Sequence, residues 1–223
     1  MLAKEFIMEV PLPSDWDPTV YTPQTSYKKR IEYAVARAQK LGAGSSRVAV
    51  VIPYQGRDTV LKVAKNIKGM AQNQAEADLL DDGYIQSLGI AIPLIDYDLE
   101  HEQPVWIHTE LATKATNKQL CELMKCGKLV WLVNTAKYAQ TGRGQDHSPD
   151  VAKIYRDDGY PAYAQNNLDI FHEYVDVLQE LMGFEVNLDD FARPGNWGIY
   201  QGKPVIIDLG FTQTVARQHY GGI

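Results

Sequence analysis

Four residues in this sequence have side chains that could hold phosphate and a divalent cation: Lys62, Glu76, Asn196 and Asp208. Lys62 lies in the β-rich segment TVLKV, and Glu76 lies in the helical segment QNQAEADLL. A lysine that holds phosphate needs an anionic partner on another element, because its long side chain is otherwise flexible. Asn196 and Asp208 offer hard oxygen atoms of the kind that Mg²⁺ prefers. Taken alone, Lys62 and Glu76 are each interpreted more simply as solvated surface residues.

The elements that must position these residues are predicted from hydrophobic spacing. Residues 28–40 are predicted to form a helix that ends at Gly42, and a Gly/Ser loop then leads into a β-hairpin of VAVVIPY and TVLKV. A second helix ends at Gly83, and the segments AIPLIDYD and PVWIHTE form two further strands. The first half of the chain is therefore predicted to be a small sheet with one helix inside it.

The second half is predicted to be mainly helical. Residues 113–139 have helical composition, TGRGQDHSPD at 141–150 is typical of a mobile surface loop, and 166–183 form an amphipathic helix. A loop, a short strand, a hairpin turn and the apolar strand VIIDLGF follow. This order places Asn196 in the loop before the hairpin and Asp208 at the end of its second strand.

This order of elements resembles the protein-kinase-like superfamily. The segment ARPGNWGIYQGKPVIIDLG is similar to the phrase D-L-H-P-G-N, short hairpin, apolar strand and D-x-G of aminoglycoside-type and other atypical kinases. The resemblance extends from the Gly/Ser loop to Gly210 and implies an α+β, two-lobed protein-kinase-like fold with a small antiparallel-sheet N-lobe and a truncated helical C-lobe. The phrases LGAGSSR, KGMAQNQAE and PGNWGIY also resemble small kinase-like proteins of tailed bacteriophages.

The resemblance divides the chain into three segments. Residues 1–27, which are rich in proline, are expected to form an extended arm. Residues 28–112 correspond to the N-lobe, and residues 113–223 correspond to a reduced C-lobe with the catalytic-loop-like and DLG segments. Only 15 residues follow Asp208 (223 − 208), so a standard protein-substrate groove is not expected.

The resemblance also implies ATP and Mg²⁺ as cofactors and gives a role to each matching residue. Lys62 would hold the α- and β-phosphates, and Glu76 would pair with it. Asn196 and Asp208 would hold Mg²⁺. Backbone groups from Glu110 to Ala112 would hydrogen-bond adenine.

A glycine-containing loop would bind the rest of the nucleotide. Gly42 and Gly44 match two glycines of the family's glycine-rich loop, and Arg47 stands at the position of the third. The hydroxyl groups of Ser45 and Ser46 would assist a backbone cradle for phosphate. An alternative interpretation makes Gly42 the C-cap of the preceding helix.

The catalytic loop departs from the family pattern. Alignment on PGN puts Phe191 where the family has the Asp that accepts the proton of the substrate hydroxyl. Asp190 lies one residue away, and a one-residue bulge would bring an acid to this position.

Two hypotheses on function stay open. One is an ATP- and Mg²⁺-dependent phosphotransferase acting on an unidentified protein or small-molecule acceptor. The other is a catalytically impaired pseudokinase that acts as an interaction or virion-associated phage protein. An unrelated α+β domain with coincidental matches is a third interpretation.

Composition excludes several classes of partner. The net charge is −6, from 22 basic and 28 acidic residues, so no nucleic-acid partner is expected. The longest apolar runs are far shorter than the roughly 20 residues of a membrane helix. The opening MLAKEFIMEVPLPSDWD lacks the unbroken apolar core of a signal peptide. These patterns predict a cytoplasmic protein, in the host cytoplasm or the virion if it is phage-encoded, and they do not predict its oligomeric state.

Overall fold

The chain has the α+β fold class that its sequence predicts, with a five-stranded antiparallel sheet and a helical part. The computed structural model describes residues 26–141 and 167–221. The predicted N-terminal arm and the predicted surface loop at 141–150 fall almost wholly outside these residues. Among the described residues, no helix combines the length and apolar character that crossing a membrane requires.

The chain divides into two compact units. The first, called here the sheet unit, runs through Ala77 and includes Pro93–Leu111. The second, called here the helical unit, contains Asp78–Ile92 and the chain from Ala112 onward. The break after Leu111 falls next to the predicted boundary at 112, whereas residues 78–92 pack with the helical unit.

The sheet unit is built on antiparallel strands in the order β1-β2-β3-β5-β4. Its helix α1 packs against β2. The described elements are α1 (Tyr27–Arg37), β1 (Lys40–Ala43), β2 (Arg47–Tyr54), β3 (Arg57–Ala64), most of α2 (Ile67–Asp81), β4 (Leu94–Tyr97) and β5 (Trp106–Glu110).

The two faces of this sheet carry different side chains. Val48 and Val50 of β2 and Leu61 and Val63 of β3 are buried with Ile31 of α1 in one apolar cluster. Because side chains alternate along a strand, the residues between them point to the opposite face. Lys62 is one of these, so the apolar cluster fixes the strand from which it projects.

The first helix ends earlier than its spacing predicts. It stops at Arg37, and Gly42 lies in β1, where it pairs with Ala49. The interpretation of Gly42 as a helix C-cap is therefore wrong. All four residues of β1 are exposed, so the strand has no alternation of apolar and polar residues that would reveal it in the sequence.

The helical unit combines helices with a small antiparallel sheet of order β6-β7-β8. Helix α5 packs against α6, and α6 matches the amphipathic helix predicted from the sequence. The described elements are α3 (Gly83–Ser87), β6 (Thr113–Lys114), α4 (Asn117–Leu123), α5 (Leu129–Thr141), α6 (Leu168–Met182), two 3₁₀ turns (Leu188–Ala192 and Pro194–Asn196), β7 (Trp197–Tyr200), β8 (Lys203–Ile206) and α7 (Gln213–His219).

Candidate functional site

Lys62 and Glu76 form a buried ion pair within the sheet unit. Lys62 lies in the middle of the sheet, paired with Ala49 of β2 and with Ile107 of β5. Its Nζ donates a hydrogen bond to Oε1 of Glu76, which projects from α2. The Glu76 side chain is 0% exposed and the Lys62 side chain is 10% exposed. A strand thus supplies the lysine and a helix supplies the anion that orients it.

Arg47 contributes a second cation to the same carboxylate. Its Nη1 lies 2.5 Å from Oε2 of Glu76 and 3.3 Å from Oδ1 of Asn73. Asn73 is held in turn, because its Nδ2 donates to the Pro104 carbonyl at 3.0 Å. The sequence resemblance gave Arg47 no partner. The alternation of RVAVV, which puts Arg47 on the face opposite Val48, is the signal that could have placed it beside α2.

The loop between β1 and β2 is fastened to the end of β3 through its carbonyl groups. The Ser46 carbonyl accepts a hydrogen bond from the Lys65 N–H at 2.8 Å. The Gly44 carbonyl accepts from Lys65 Nζ at 2.7 Å, and the Ser45 carbonyl accepts from Asn66 Nδ2 at 3.1 Å. The loop is therefore held in one conformation by the residues that lead into α2.

The predicted phosphate-binding residues of this loop have different environments. Gly42, Gly44 and Ser45 are exposed. Ser46 is buried, and its hydroxyl donates to Gln72 Oε1 at 2.7 Å. In this conformation the Ser46 hydroxyl fixes the loop to α2, while the exposed residues stay open to solvent.

Gly69 is required for the close approach of α2 to this loop. A Cβ atom at this position would lie 2.2 Å from the Ser46 carbonyl oxygen. Gly69→Ala should therefore lower the free energy of unfolding by about 1–3 kcal/mol, measured by urea denaturation, because loop or helix must shift. Gly83→Ala is the control, since nothing lies within 4 Å of its Cβ. Equal stability of the two variants would show that the loop is not packed as described.

Glu110 lies at the end of β5, and both its carboxylate and its backbone N–H make hydrogen bonds within the sheet unit. Its carboxylate accepts two hydrogen bonds from Arg57, one of them from Nε at 3.0 Å. Its backbone N–H donates to the Pro93 carbonyl at 3.0 Å. Ala112, the other end of the segment predicted to bind adenine, belongs to the helical unit and is half-buried.

Asp190, Asn196 and Asp208 come together within the helical unit. Asn196 Nδ2 donates to the Asp190 carbonyl at 2.9 Å, and the Asn196 carbonyl accepts from the Ile207 N–H at 2.9 Å. Asn196 is thereby connected both to the 3₁₀ turn that carries Asp190 and to the residue before Asp208. These hydrogen bonds tie the loop to the segment that follows β8.

The environment of Asp190 favours its protonated form. Burial raises the pKa of its carboxyl above the usual range. The positive charge of Arg193 opposes this shift, while the negative charges of Asp208 and Asp189 add to it. Nη1 of Arg193 lies 3.9 Å from Asp190 Oδ1. A half-buried carboxylate with a raised pKa is a stronger base than an ordinary aspartate.

Phe191 occupies the core and not the site. The residue is 1% exposed, and its ring meets the Trp197 ring edge-on at 6.0 Å between centroids. Trp197 Nε1 donates to the Phe191 carbonyl at 2.8 Å. The 3₁₀ turn buries Phe191 and leaves Asp190, one residue earlier, half-buried beside Asn196.

Asn196 and Asp208 each have a side-chain oxygen atom of the kind that Mg²⁺ binds. Because Asn196 Nδ2 faces the Asp190 carbonyl, the amide oxygen is the atom that remains for a cation. Asp208 Oδ1 accepts from the Gly210 N–H at 3.3 Å, which fixes the carboxylate. No group of three or more His, Cys, Asp or Glu side chains that could hold a metal occurs in the described part of the chain. Mg²⁺ shared with phosphate oxygens needs only one or two carboxylates from the protein.

No protein-family profile matches this chain, and no curated protein matches it. Among solved structures, it is similar to a thermostable mutant of an aminoglycoside phosphotransferase in a ternary complex with ADP and hygromycin B. The TM-score is 0.32 and the identity is 13%, over 78% of this chain and 66% of that chain. The matched region is thus just under two thirds of the length of that protein.

Proposed function

We propose that this chain is a kinase-like nucleotide-binding protein that transfers phosphate from ATP with the help of Mg²⁺. The observation that carries the proposal is the buried ion pair of Lys62 and Glu76. Burying charges is costly and often adds little stability compared with apolar residues of the same size. A fully buried glutamate that orients a strand lysine is therefore better explained by a need for a positioned cation, and the anion that such a lysine suits is a nucleotide phosphate.

The helical unit supplies the remaining groups in this proposal. Asn196 and Asp208 would hold Mg²⁺, which neutralises charge on phosphate oxygens when it is bound. Asp190 would accept the proton of the attacking hydroxyl, a role that its raised pKa and its position beside Asn196 support. The acceptor is a protein or a small molecule that carries this hydroxyl group.

A pseudokinase is the alternative, and it is favoured by the apolar residue Phe191 at the position aligned with the family's catalytic Asp. The Ser46 hydroxyl and the Glu110 N–H are also engaged within the sheet unit. In this alternative the protein acts through its surface, as an interaction or virion-associated phage protein. Mg²⁺-dependent ATP turnover that is lost in Asp208→Asn would exclude it.

Thermal unfolding with ATP tests the proposed function. ATP with Mg²⁺ at about 100 times the dissociation constant should add roughly 2.7 kcal/mol of stability and raise the midpoint by about 5–10 °C. EDTA or Asp208→Asn should remove this rise, because each removes the metal contribution to phosphate binding. Asp176→Asn, an exposed substitution on α6, should keep it. No rise with millimolar ATP in the unsubstituted protein would contradict the proposal.

A further inference from the structure

We propose that Arg47 is a positioning residue, which holds Glu76 from β2 so that Glu76 can orient Lys62 for phosphate binding. The inference rests on the proposed nucleotide-binding function and adds a residue to it. Arg47 stands where a glycine is expected, so the resemblance gives it no such role. The contacts of Arg47 within the sheet unit are what indicate this role.

The strand register places the two cations where one carboxylate can bridge them. Arg47 pairs with Ala64 across the β2–β3 ladder, and Ala49 pairs with Lys62. Arg47 and Lys62 are therefore diagonal neighbours on the same face of the sheet, where Cα atoms lie roughly 7–8 Å apart. Glu76 projects from α2 onto this face and reaches both side chains.

Each oxygen of Glu76 has its own cation. Lys62 Nζ binds Oε1, and Arg47 Nη1 binds Oε2 at 2.5 Å. The Glu76 side chain is 0% exposed, so solvent does not reach Oε2 in this conformation. Without the guanidinium, the carboxylate would turn toward another donor, because an unpaired buried oxygen is costly. This movement would change the ammonium position of Lys62.

Arg47 is itself fixed by α2, which makes its geometry specific. Its Nη1 also contacts Asn73 Oδ1 at 3.3 Å. Asn73 and Glu76 are three residues apart and lie on the same side of the helix. A planar guanidinium presents several donors in fixed directions, whereas a lysine ammonium sits on a flexible stem. Arg47→Lys should keep a positive charge near Glu76 and lose the fixed arrangement.

Binding of trinitrophenyl-ATP with Mg²⁺, followed by fluorescence, tests this role in a double-mutant cycle. The variants are Arg47→Lys, Lys62→Met and the double substitution, and each keeps at least one cation for Glu76. We expect Arg47→Lys alone to weaken binding about tenfold, the effect of roughly one lost charged hydrogen bond. In the Lys62→Met background the same change should alter the dissociation constant less than twofold. Arg37→Lys, an exposed substitution on α1, is the matched control and should bind normally.

The outcomes separate this inference from the proposed function. If the unsubstituted protein does not bind the probe, the proposed function fails and Arg47 has no nucleotide role. If the unsubstituted protein and Arg47→Lys bind equally well, only the inference fails. An equal loss of affinity in both backgrounds would mean that Arg47 acts independently of Lys62, which also overturns positioning. Circular dichroism of each variant confirms that the fold is retained.

Discussion

Replacing Glu76 with glutamine should lower the free energy of unfolding by about 3–5 kcal/mol, the cost of leaving buried charges without their partner. The carboxylate is the shared anion of Arg47 and Lys62, whose side chains are both 10% exposed. Glutamine has nearly the same shape, so the loss would come from charge and not from a cavity. Urea denaturation followed by circular dichroism measures it.

Two controls identify the cause of this loss. Glu122→Gln removes a carboxylate that is half-exposed and 3.8 Å from Lys118 on α4, so it should cost less than about 0.5 kcal/mol. A triple variant that combines Glu76→Gln with Arg47→Met and Lys62→Met has no buried charge in this cluster and should recover part of the stability. If Glu76→Gln and Glu122→Gln cost the same, the cluster is hydrated and the description of Glu76 as a buried anion is wrong.

The β2–β3 hairpin could be predicted from the sequence because its strands show the expected apolar pattern and its turn is short. Gln55 and Gly56 both have positive φ, as the tight two-residue turn between twisted strands requires. The neighbouring strand β1 could not be predicted in the same way. Its residues Lys40–Ala43 are all exposed, and its pairing with β2 depends on tertiary contacts.

The ion pair of Lys62 and Glu76 follows from the family resemblance, but the contact of Arg47 with Glu76 does not. Arg47 and Glu76 are 29 residues apart, and their contact depends on the register of β2 against β3 and on the rotation of α2. The alternation of side chains along β2 predicts the face on which Arg47 lies. Only the position of α2 in the folded structure shows which residues contact that face. The sequence predicts faces of elements better than it predicts partners.

Alignment could not decide whether Asp190 or Phe191 takes the place of the acid in the expected catalytic loop. The two residues are adjacent, and the expected loop has one position for an acid. The 3₁₀ turn separates them physically. It buries the larger apolar side chain against Trp197 and leaves Asp190 half-buried, with its backbone carbonyl accepting a hydrogen bond from Asn196. Hydrophobic burial therefore decides which of the two side chains lies in the core.

Asp190→Asn should reduce ATP turnover about 10²–10⁴-fold while leaving nucleotide affinity within about twofold, because it removes the proposed proton acceptor and no phosphate ligand. Turnover is measured as ADP formed by transfer of the phosphoryl group to water, which stands in for the unidentified acceptor hydroxyl. Asp189→Asn is the matched control. Its carboxylate is exposed and pairs with Lys137 at 2.7 Å, so turnover should be nearly unchanged. Full activity of Asp190→Asn would remove Asp190 from the mechanism.

The pH dependence gives a second and independent test of Asp190. Its pKa in the folded protein is raised by burial, so turnover should fall as the pH drops through this raised value, at a higher pH than an ordinary aspartate would require.

The raised pKa of Asp190 also affects stability. The folded state binds the proton more tightly than the unfolded chain, so ionised Asp190 lowers stability at neutral pH. Asp190→Asn should therefore unfold at a slightly higher temperature than the unsubstituted protein at neutral pH. This difference in unfolding temperature should begin to shrink as the pH falls below the pKa of Asp190 in the folded protein. It should disappear once the pH is also below the pKa of Asp190 in the unfolded chain. A stability difference that does not change with pH would contradict the role of burial at this carboxylate.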